Sequence, residues 1–383
     1  MYVARFTSFE QLAPLRSAWT ELAAGIPFRD WPWLESWWAA YGESCAGASR
    51  ELCVVAVTTE EDELVGLAPW YIERSRSRGA VLRFLGSGEV CSDYLSVLAR
   101  PHHQIEVAAA LANWLAPQAA GGTTAEAPQT WDLLDLGLVP HHDATIERLS
   151  QELRVRGASV YKRPSVSCWR LALPPSWENY LGQLSKSHRK QIRQLDKRYF
   201  KSGAATFHEV TSAAQLDAGL EILENLHQRR RQSLGEKGCF RSATFTAFIN
   251  RASATLLARG ELRLCWVEIG GRPAAVEYQL LSKNAVFAYQ AGVDPEQLEH
   301  EPGRLITIAT LKRTIAEGRQ VMDFLRGDEP YKAHWRAEPT PTQELRVIAP
   351  TSSARLRHRA WVAGSHVKRL VRSSLQASSG PHS

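Results

Sequence analysis

The chain has 383 residues, of which 44% are hydrophobic and 22% charged, with 46 basic and 40 acidic side chains. This composition is typical of a globular protein and excludes bulk disorder, and the length predicts two domains rather than one core. The whole net charge of +6 is carried by residues 351–383, which contain basic but no acidic side chains. A body without net charge argues against a general nucleic-acid-binding protein.

Cysteine usage and hydropathy indicate the compartment. The six cysteines form no CxxC pair, and Cys53 and Cys265 lie within apolar runs, which favours buried free thiols in a reducing environment. The N-terminus lacks a basic region followed by an apolar core, and no run of about 18 apolar residues occurs. We therefore expect a cytoplasmic protein without a membrane span.

The first half predicts a strand, two helices, three strands, a helix and a final strand. Ser8 and Gln11 form a capping-box pattern where the first helix begins, and Pro32 marks the start of the second. In chain order the elements are a strand at 2–6, helices at 8–24 and 33–41, strands at 52–58, 64–72 and 81–85, a helix at 103–115 and a strand at 131–136. A Gly- and Ala-rich loop is expected at 119–128.

The second half repeats this order. Its first helix begins at a second capping-box pattern, Ser212 and Gln215, and carries leucines spaced four, three and three residues apart. The elements are a strand at 204–210, helices from 212 and at 243–257, strands at 262–269, 274–281 and 285–291, a helix at 302–318 and a strand at 321–325.

Corresponding segments of the two halves align at an offset of roughly 200 residues, which predicts a tandem duplication rather than a solenoid. We expect one domain at 1–165, a second at 176–350, and a crossing between them at 164–175. Residues 351–383 form a basic tail. A basic amphipathic helix could lie on an anionic membrane, but docking on the body or partial disorder is favoured.

Two other charged patterns were weighed for binding. The helix expected at 186–201 holds seven Lys and Arg and only one acid, Asp196. A phosphorylated or nucleic-acid partner would suit it, but a solvated basic face is the simpler interpretation. The pairs His102-His103 and His141-His142 lack further ligands at metal spacing, so no metal site is predicted.

Four segments carry a resemblance to a known family. They are 185–193 (Ser-Lys-Ser-His-Arg-Lys-Gln-Ile-Arg), 292–295 (Gly-Val-Asp-Pro), 302–305 (Pro-Gly-Arg-Leu) and 323–332 (Asp-Phe-Leu-Arg-Gly-Asp-Glu-Pro-Tyr-Lys). The element order is that of the GNAT acyltransferases, and the C-terminal half resembles the CelD-like acetyltransferase family, associated with cellulose biosynthesis. The resemblance implies an α/β fold of two tandem GNAT-like domains, the N-terminal one degenerate.

This likeness implies acyl-CoA as the co-substrate, with acetyl-CoA as its expected form, and an amine that attacks its thioester. The pantetheine chain would pair with a splayed strand and the pyrophosphate would lie at a helix N-terminus, where free N–H groups bind anions. The implied cofactor-binding residues are Gly292, Val293, Gly303, Arg304 and Leu305. The loop before this helix departs from the GNAT pattern, because it has one glycine and three glutamates that would repel phosphate. A helix start without a ligand is the alternative.

Acylation of an amine needs a base for the attacking ammonium and often an acid for the leaving thiolate. Glu277 is the predicted base, because burial in an apolar strand would raise its pKa; a structural ion pair is the alternative. Tyr331 is the acid that the resemblance implies, with a core-facing ring as the alternative. Asp328 is a further candidate. Since no Ser-His-Asp or Cys-His arrangement can be argued from the sequence, direct attack by the amine is favoured.

The segment 323–335 follows the last strand and is rich in ionisable side chains. Within it Arg326, Lys332 and His334 are expected to hold the acceptor, together with Tyr289. A solvated loop with internal ion pairs is the alternative.

We therefore expect an N-acyltransferase that acts on a small-molecule or glycan-precursor amine, such as an amino sugar or another polysaccharide or envelope precursor. Tandem GNAT-like domains also occur in the FemABX transferases, so transfer from aminoacyl-tRNA is the alternative, and only this alternative requires a nucleic-acid partner. A non-catalytic partner protein on a degenerate duplicated fold is the third hypothesis.

Overall fold

The structure, a computed structural model, describes residues 1–42, 47–116 and 131–363. The loop predicted at 119–128 and the end of the basic tail lie outside these residues. The described chain is a mixed α/β fold built on two mixed β-sheets.

The first half forms the elements that the sequence predicts, with additional ones near its end. These are β1 (Tyr2–Phe6), α1 (Phe9–Leu12), α2 (Arg16–Leu22), α3 (Trp31–Tyr41), β2 (Ala48–Thr58), β3 (Leu64–Ser75), β4 (Gly79–Phe84), β5 (Leu98–Ala99), α4 (Gln104–Leu115), β6 (Leu133–Pro140), α5 (Ala144–Val155) and β7 (Ser159–Pro164).

The second half has the same core order. Its elements are β8 (Cys168–Ala172), α6 (Trp177–Gln183), α7 (Lys186–Leu195), β9 (Ala205–Glu209), α8 (Ala213–Ser233), α9 (Ala243–Ala258), β10 (Leu262–Ile269), β11 (Arg272–Leu281), β12 (Ala285–Val293), α10 (Pro302–Ala316), β13 (Val321–Arg326), α11 (Pro330–His334), β14 (Glu338–Thr340) and β15 (Thr342–Ile348). A π-helical turn, Asp196–Phe200, extends α7.

The two sheets have matching topologies. The first contains five strands in the order β1-β2-β3-β4-β6. The second contains five strands in the corresponding order β9-β10-β11-β12-β13. In each, a helix crosses from the fourth strand to a parallel fifth strand: α4 joins β4 to β6, and α10 joins β12 to β13. The structure therefore repeats one βαβ-containing unit, as the aligned segments predict.

The first sheet takes one strand from the second half of the chain, and the second sheet is extended by the strand that opens that half. β15 inserts between β6 and β7 of the first sheet, while β8 pairs with β13 and β14 in the second. The division between the sheets therefore differs from the expected boundaries: 168–172, placed in the crossing, joins the second sheet, and 342–348 joins the first. The insertion of β15 ties the two halves together by backbone hydrogen bonds.

Two apolar clusters fill the interior. The larger one joins the core of the first half to one face of the second sheet and to α8 and α9, with aromatic contacts such as Trp33 on Phe248 and Phe28 on Phe287. The smaller one lies between the opposite face of the second sheet and α6, α7 and α10. The second sheet is thus buried on both faces, which is the arrangement expected for a sheet covered by helices.

Helix starts follow the local sequence signals, with one exception. Ser8 accepts a hydrogen bond from the backbone of Gln11, and Ser185, Ser242 and Asp143 cap their helices in the same way. At α8 the predicted cap is wrong, because Ser212 makes no side-chain cap bond. Gln215 instead accepts from the backbone N–H of Thr211, one residue before the N-cap, so neither bond of the capping box forms.

The start of the basic tail docks on the first half. Residues 352–363 are helical. Trp361 lies between Arg78 and Arg346, with their guanidinium carbons 5.0 and 5.4 Å from the ring centre, and Arg357 pairs with Asp132 at 2.8 Å. For these residues the docked form expected from the sequence is the one observed.

Candidate functional site

The strands β12 and β13 separate after a short stretch of pairing. Their parallel register covers three pairs and ends at Phe287 opposite Asp323. On its other side, β12 continues to pair with β11 as far as Val293, with a register shift that leaves Tyr289 as an extra, bulged residue. Because a bulge bends its strand, it gives a physical reason for the divergence. The result is a V-shaped opening between β12 and β13.

The open edge of β12 presents backbone groups to this opening. The N–H of Asp294 donates to the Ala274 carbonyl, and hydrogen-bonded pairs alternate along an antiparallel ladder. Ala291, opposite Glu277, therefore directs its peptide groups away from β11, towards the side that β13 has left; its carbonyl lies 3.0 Å from Nδ1 of His227, and its N–H faces the opening. An extended ligand with amide groups could pair there as an added strand.

Glu277 lies on β11 next to this edge and faces α10. It is 7% exposed, and burial raises its pKa to about 7, an effect that hydrogen bonds from Gln279 and Thr310 partly oppose. Gln279 donates to the carboxylate at 2.6 Å and accepts from the buried Arg263 at 3.1 Å. This chain of contacts orients a carboxylate that can exchange a proton near neutral pH.

Tyr331 lies in the first turn of the short helix α11, which follows β13. Its ring meets Phe324 edge-on at 6.2 Å, and 49% of the side chain is exposed. Burial of the phenol and the nearby negative charge of Glu277 raise its pKa, so the hydroxyl is protonated at neutral pH. The charge of Glu277 is therefore close enough to act on the phenol of Tyr331, the second catalytic candidate.

The helix α10 begins beside the opening and lacks a side-chain cap. Its N-cap, Glu301, has a left-handed backbone with φ of 53°. At Gly303 an added Cβ would meet only Val293, at 3.6 Å. Arg304 pairs with Glu301 at 2.5 Å, which offsets one of the acids in the loop. The positive end of the helix therefore remains accessible to an anion.

Basic and imidazole side chains surround this helix start. Gln191 of α7 accepts from Arg304 at 3.1 Å, which brings the basic helix beside it. The rings of His188 and His334 are 3.9 Å apart. Burial, followed by the charges of His334 and Arg304, lowers the pKa of His188 to about 4, so it is neutral near pH 7. His334 is exposed at the surface of this cluster.

The other implied cofactor residues serve mainly in packing. A Cβ at Gly292 would come within 2.5 Å of the His227 backbone, so glycine lets β12 approach α8 closely. Val293 pairs with Ala275, and the Leu305 side chain is fully buried. These three residues therefore support the strand and helix that border the opening, by packing and backbone pairing.

Two side chains that were predicted to bind the acceptor form hydrogen bonds with the first half of the protein. The Nε of Arg326 donates to Asp93 at 2.8 Å and its Nη2 to the Ser92 carbonyl at 2.9 Å. The Tyr289 hydroxyl donates to the Val90 carbonyl at 2.6 Å. Both residues therefore hold the first half against the opening, which is a positional role that differs from the expected contact with the acceptor.

Lys332 also has a structural position. It is 2% exposed, and its Nζ donates to the carbonyls of Leu325, Arg326 and Gly327 at 3.1, 2.6 and 3.0 Å. These bonds close the turn where Leu325 and Gly327 have positive φ. Asp328 is exposed and accepts from the Trp169 indole at 3.1 Å.

Sequence reasoning missed the contribution of the first half. Asp93 is 1% exposed beside Arg326, and Tyr94 donates to the buried Asp323 at 2.7 Å. Burial raises the pKa of Asp323 to about 7. Cys91 and Tyr94 both have positive φ, a strained backbone that often marks a functional segment. The only sequence signal was the nearby Gly86-Ser-Gly88 turn.

No helix in 1–42, 47–116 or 131–363 is long and apolar enough to cross a membrane. Within the same ranges, no three His, Cys, Asp or Glu side chains are grouped so as to hold a metal ion.

Part of the second half matches a known family model. Residues 186–333, from α7 to α11, match the model of an acetyltransferase (GNAT) domain. A comparison with curated proteins gave no match.

Solved structures share the fold over nearly the whole chain. The crystal structure of FemX is similar at a TM-score of 0.61 and 10% identity, covering 90% of this chain and 97% of that one. A conserved protein of unknown function from Bacteroides thetaiotaomicron VPI-5482 is similar at 0.53 and 9%, covering 88% and 97%. At these identities the likeness concerns the fold alone. The chain thus shares its fold with FemX, and its residues 186–333 match the model of an acetyltransferase (GNAT) domain.

Proposed function

We propose that the protein is an acyl-CoA-dependent N-acyltransferase, with acetyl-CoA as the expected donor. The observation that carries the proposal is the opening between β12 and β13, flanked by Glu277, Tyr331 and the uncapped start of α10. The unpaired edge of β12 suits the amides of pantetheine, and the helix start suits its pyrophosphate. Each part of the donor thus has a chemically matched position.

In this reaction Glu277 takes a proton from the attacking ammonium, and Tyr331 gives a proton to the leaving thiolate. Preorganisation of the carboxylate by Gln279 favours this transfer, since a base works best when its pKa is near the working pH. Asp328 and His334 are exposed beside Tyr331 and are the proposed acceptor contacts. The proposed acceptor is an amino sugar or a related polysaccharide or envelope precursor.

The experiment is calorimetric titration of acetyl-CoA into the wild type, Gly303→Ala and Gly303→Asp. Both substitutions fit the space at Gly303, and an acidic residue in the first helical turn does not weaken the helix. We expect the alanine variant to bind as the wild type does and the aspartate variant to bind at least about tenfold more weakly, through repulsion of phosphate. Absence of binding to the wild type would refute the proposal.

A second candidate is transfer from aminoacyl-tRNA. The observation that favours it is the position of the basic helix α7 beside the start of α10. It predicts tRNA binding that weakens steeply as salt rises. Acetyl-CoA binding without tRNA binding would exclude this candidate. If neither ligand binds, the non-catalytic partner protein is the remaining hypothesis.

A further inference from the structure

A thiol and an imidazole lie at the same open edge of β12, on the face opposite Glu277. The Sγ of Cys239 is 3.3 Å from Nε2 of His227, and Nδ1 of His227 is 3.0 Å from the Ala291 carbonyl. A carbonyl oxygen only accepts hydrogen bonds, so Nδ1 carries the proton and Nε2 is free to accept from the thiol. The imidazole is thereby oriented as a base towards Cys239.

Burial keeps both side chains of this pair uncharged, while Cys239 remains partly exposed. His227 is 3% exposed, and burial lowers its pKa, while burial raises the pKa of the Cys239 thiol to about 12. Cys239 itself is partly exposed, in the segment between α8 and α9. A neutral thiol of this kind becomes a nucleophile when a neighbouring base removes its proton during attack.

We propose that Cys239 and His227 act as a nucleophile and its base, so that acyl transfer passes through an acyl-cysteine. This inference rests on the proposed function, because it assigns the donor thioester to the same opening. This mechanism replaces the direct attack by the amine that the sequence favoured. In the sequence, Cys239 and His227 are twelve positions apart, and no motif marks them as neighbours.

The first step forms a bond between Cys239 Sγ and the acyl carbon. The thiol proton passes to His227 Nε2, the bond between the acyl carbon and the CoA sulfur breaks, and the CoA thiolate leaves with the proton of Tyr331. The Tyr331 phenoxide regains a proton from water, to which the His227 imidazolium gives its own. His227 is then neutral again. The protein carries one acyl group as a thioester.

In the second step the acceptor ammonium gives one proton to Glu277 and its nitrogen attacks the acyl-cysteine. The carbon–sulfur bond to Cys239 breaks, and the second proton of the nitrogen passes through His227 to the Cys239 sulfur. The products are the amide and the free thiol. Glu277 and His227 therefore act from opposite sides of the β12 edge.

The test is incubation of the full-length protein with acetyl-CoA in the absence of an acceptor, followed by acid quenching and peptide mass spectrometry. We expect one acetyl group on Cys239 in the wild type and in Cys91→Ser, which alters a neighbouring cysteine. Cys239→Ala should carry none. His227→Asn retains a donor for the Ala291 carbonyl but no base, and it should slow acylation at least about 100-fold with an unchanged unfolding midpoint.

Two results would overturn the inference: binding of acetyl-CoA without label on Cys239, or acetylation of glucosamine by Cys239→Ala at the wild-type rate. Either leaves the proposed function standing, with direct transfer. If acetyl-CoA does not bind the wild type, the proposed function fails. Alkylation by iodoacetamide then tests separately whether His227 activates the Cys239 thiol. Alkylation of Cys239 should then be slower in His227→Asn than in the wild type; equal rates in the two proteins would refute the pair.

Discussion

Replacing Glu277 with glutamine should change activity and stability in opposite directions. The pKa of this carboxyl rises from its ordinary 4.5 to about 7, with burial as the main cause. Each pKa unit corresponds to about 1.4 kcal/mol, so holding the charged carboxylate in the fold costs roughly 3 kcal/mol. Glutamine has the same shape, keeps an acceptor for the Gln279 amide and carries no charge.

The sign follows from linkage. Because the folded pKa is raised, the wild type binds this proton more tightly when folded, and its stability falls as pH rises from about 4.5 through about 7. Below pH 4.5 both forms of the protein carry a neutral group at this position. The variant should therefore match the wild type at pH 4 and exceed it by roughly 3 kcal/mol at pH 8.

Urea unfolding at pH 4, 6 and 8 measures this difference, with Glu338→Gln as the control for an exposed carboxylate. In parallel, the acyl-transfer rate of the wild type should rise with pH through about 7, and the variant should lose at least about 100-fold. Equal pH dependence of stability in Glu277→Gln and Glu338→Gln would refute the assigned pKa. An unchanged transfer rate would refute the role as base.

Three further predictions follow from the contacts around the opening. Tyr331→Phe keeps the ring on Phe324, so its unfolding midpoint should not change while kcat falls at least about tenfold; an unchanged kcat would remove the phenol from the mechanism. Arg326→Ala leaves the buried Asp93 unpaired and should cost about 3–5 kcal/mol in urea unfolding, with much of this recovered in the double variant with Asp93→Asn. Lys332→Met removes three hydrogen bonds to carbonyls and should lower the free energy of unfolding by about 2–4 kcal/mol. The affinity of this variant for acetyl-CoA, measured by calorimetry, should be unchanged; a loss of affinity without a loss of stability would show that Lys332 binds the ligand.

Local signals were sufficient for most elements. The leucine spacing of α8, the Gly270-Gly271 turn between β10 and β11, and the Pro302-Gly303 start of α10 each depend on residues close in sequence. Periodicity and turn chemistry act over a few residues, so they can be read from the chain directly. The buried position of Glu277 followed from the same kind of pattern, because its neighbours in β11 are apolar.

The chemistry of the second half's charged segment depended on distant residues. Arg326 and Asp93 are 233 positions apart, and Tyr94 meets Asp323 across 229. From the sequence, Arg326 and Lys332 have unsatisfied charges that suggest a ligand. In the fold those charges are satisfied internally, since a buried charge must find a partner or lose its ionisation.

By itself, the sequence determined the order of strands and helices, the duplication and the burial of Glu277. Three features depend instead on tertiary packing: the insertion of β15 into the first sheet, the set of ionisable groups that remain available at the opening, and the position of His227 between Cys239 and Ala291. Local patterns report the conformation and burial of a segment. Contacts between segments far apart in sequence depend on how the sheets pack, which no short pattern encodes.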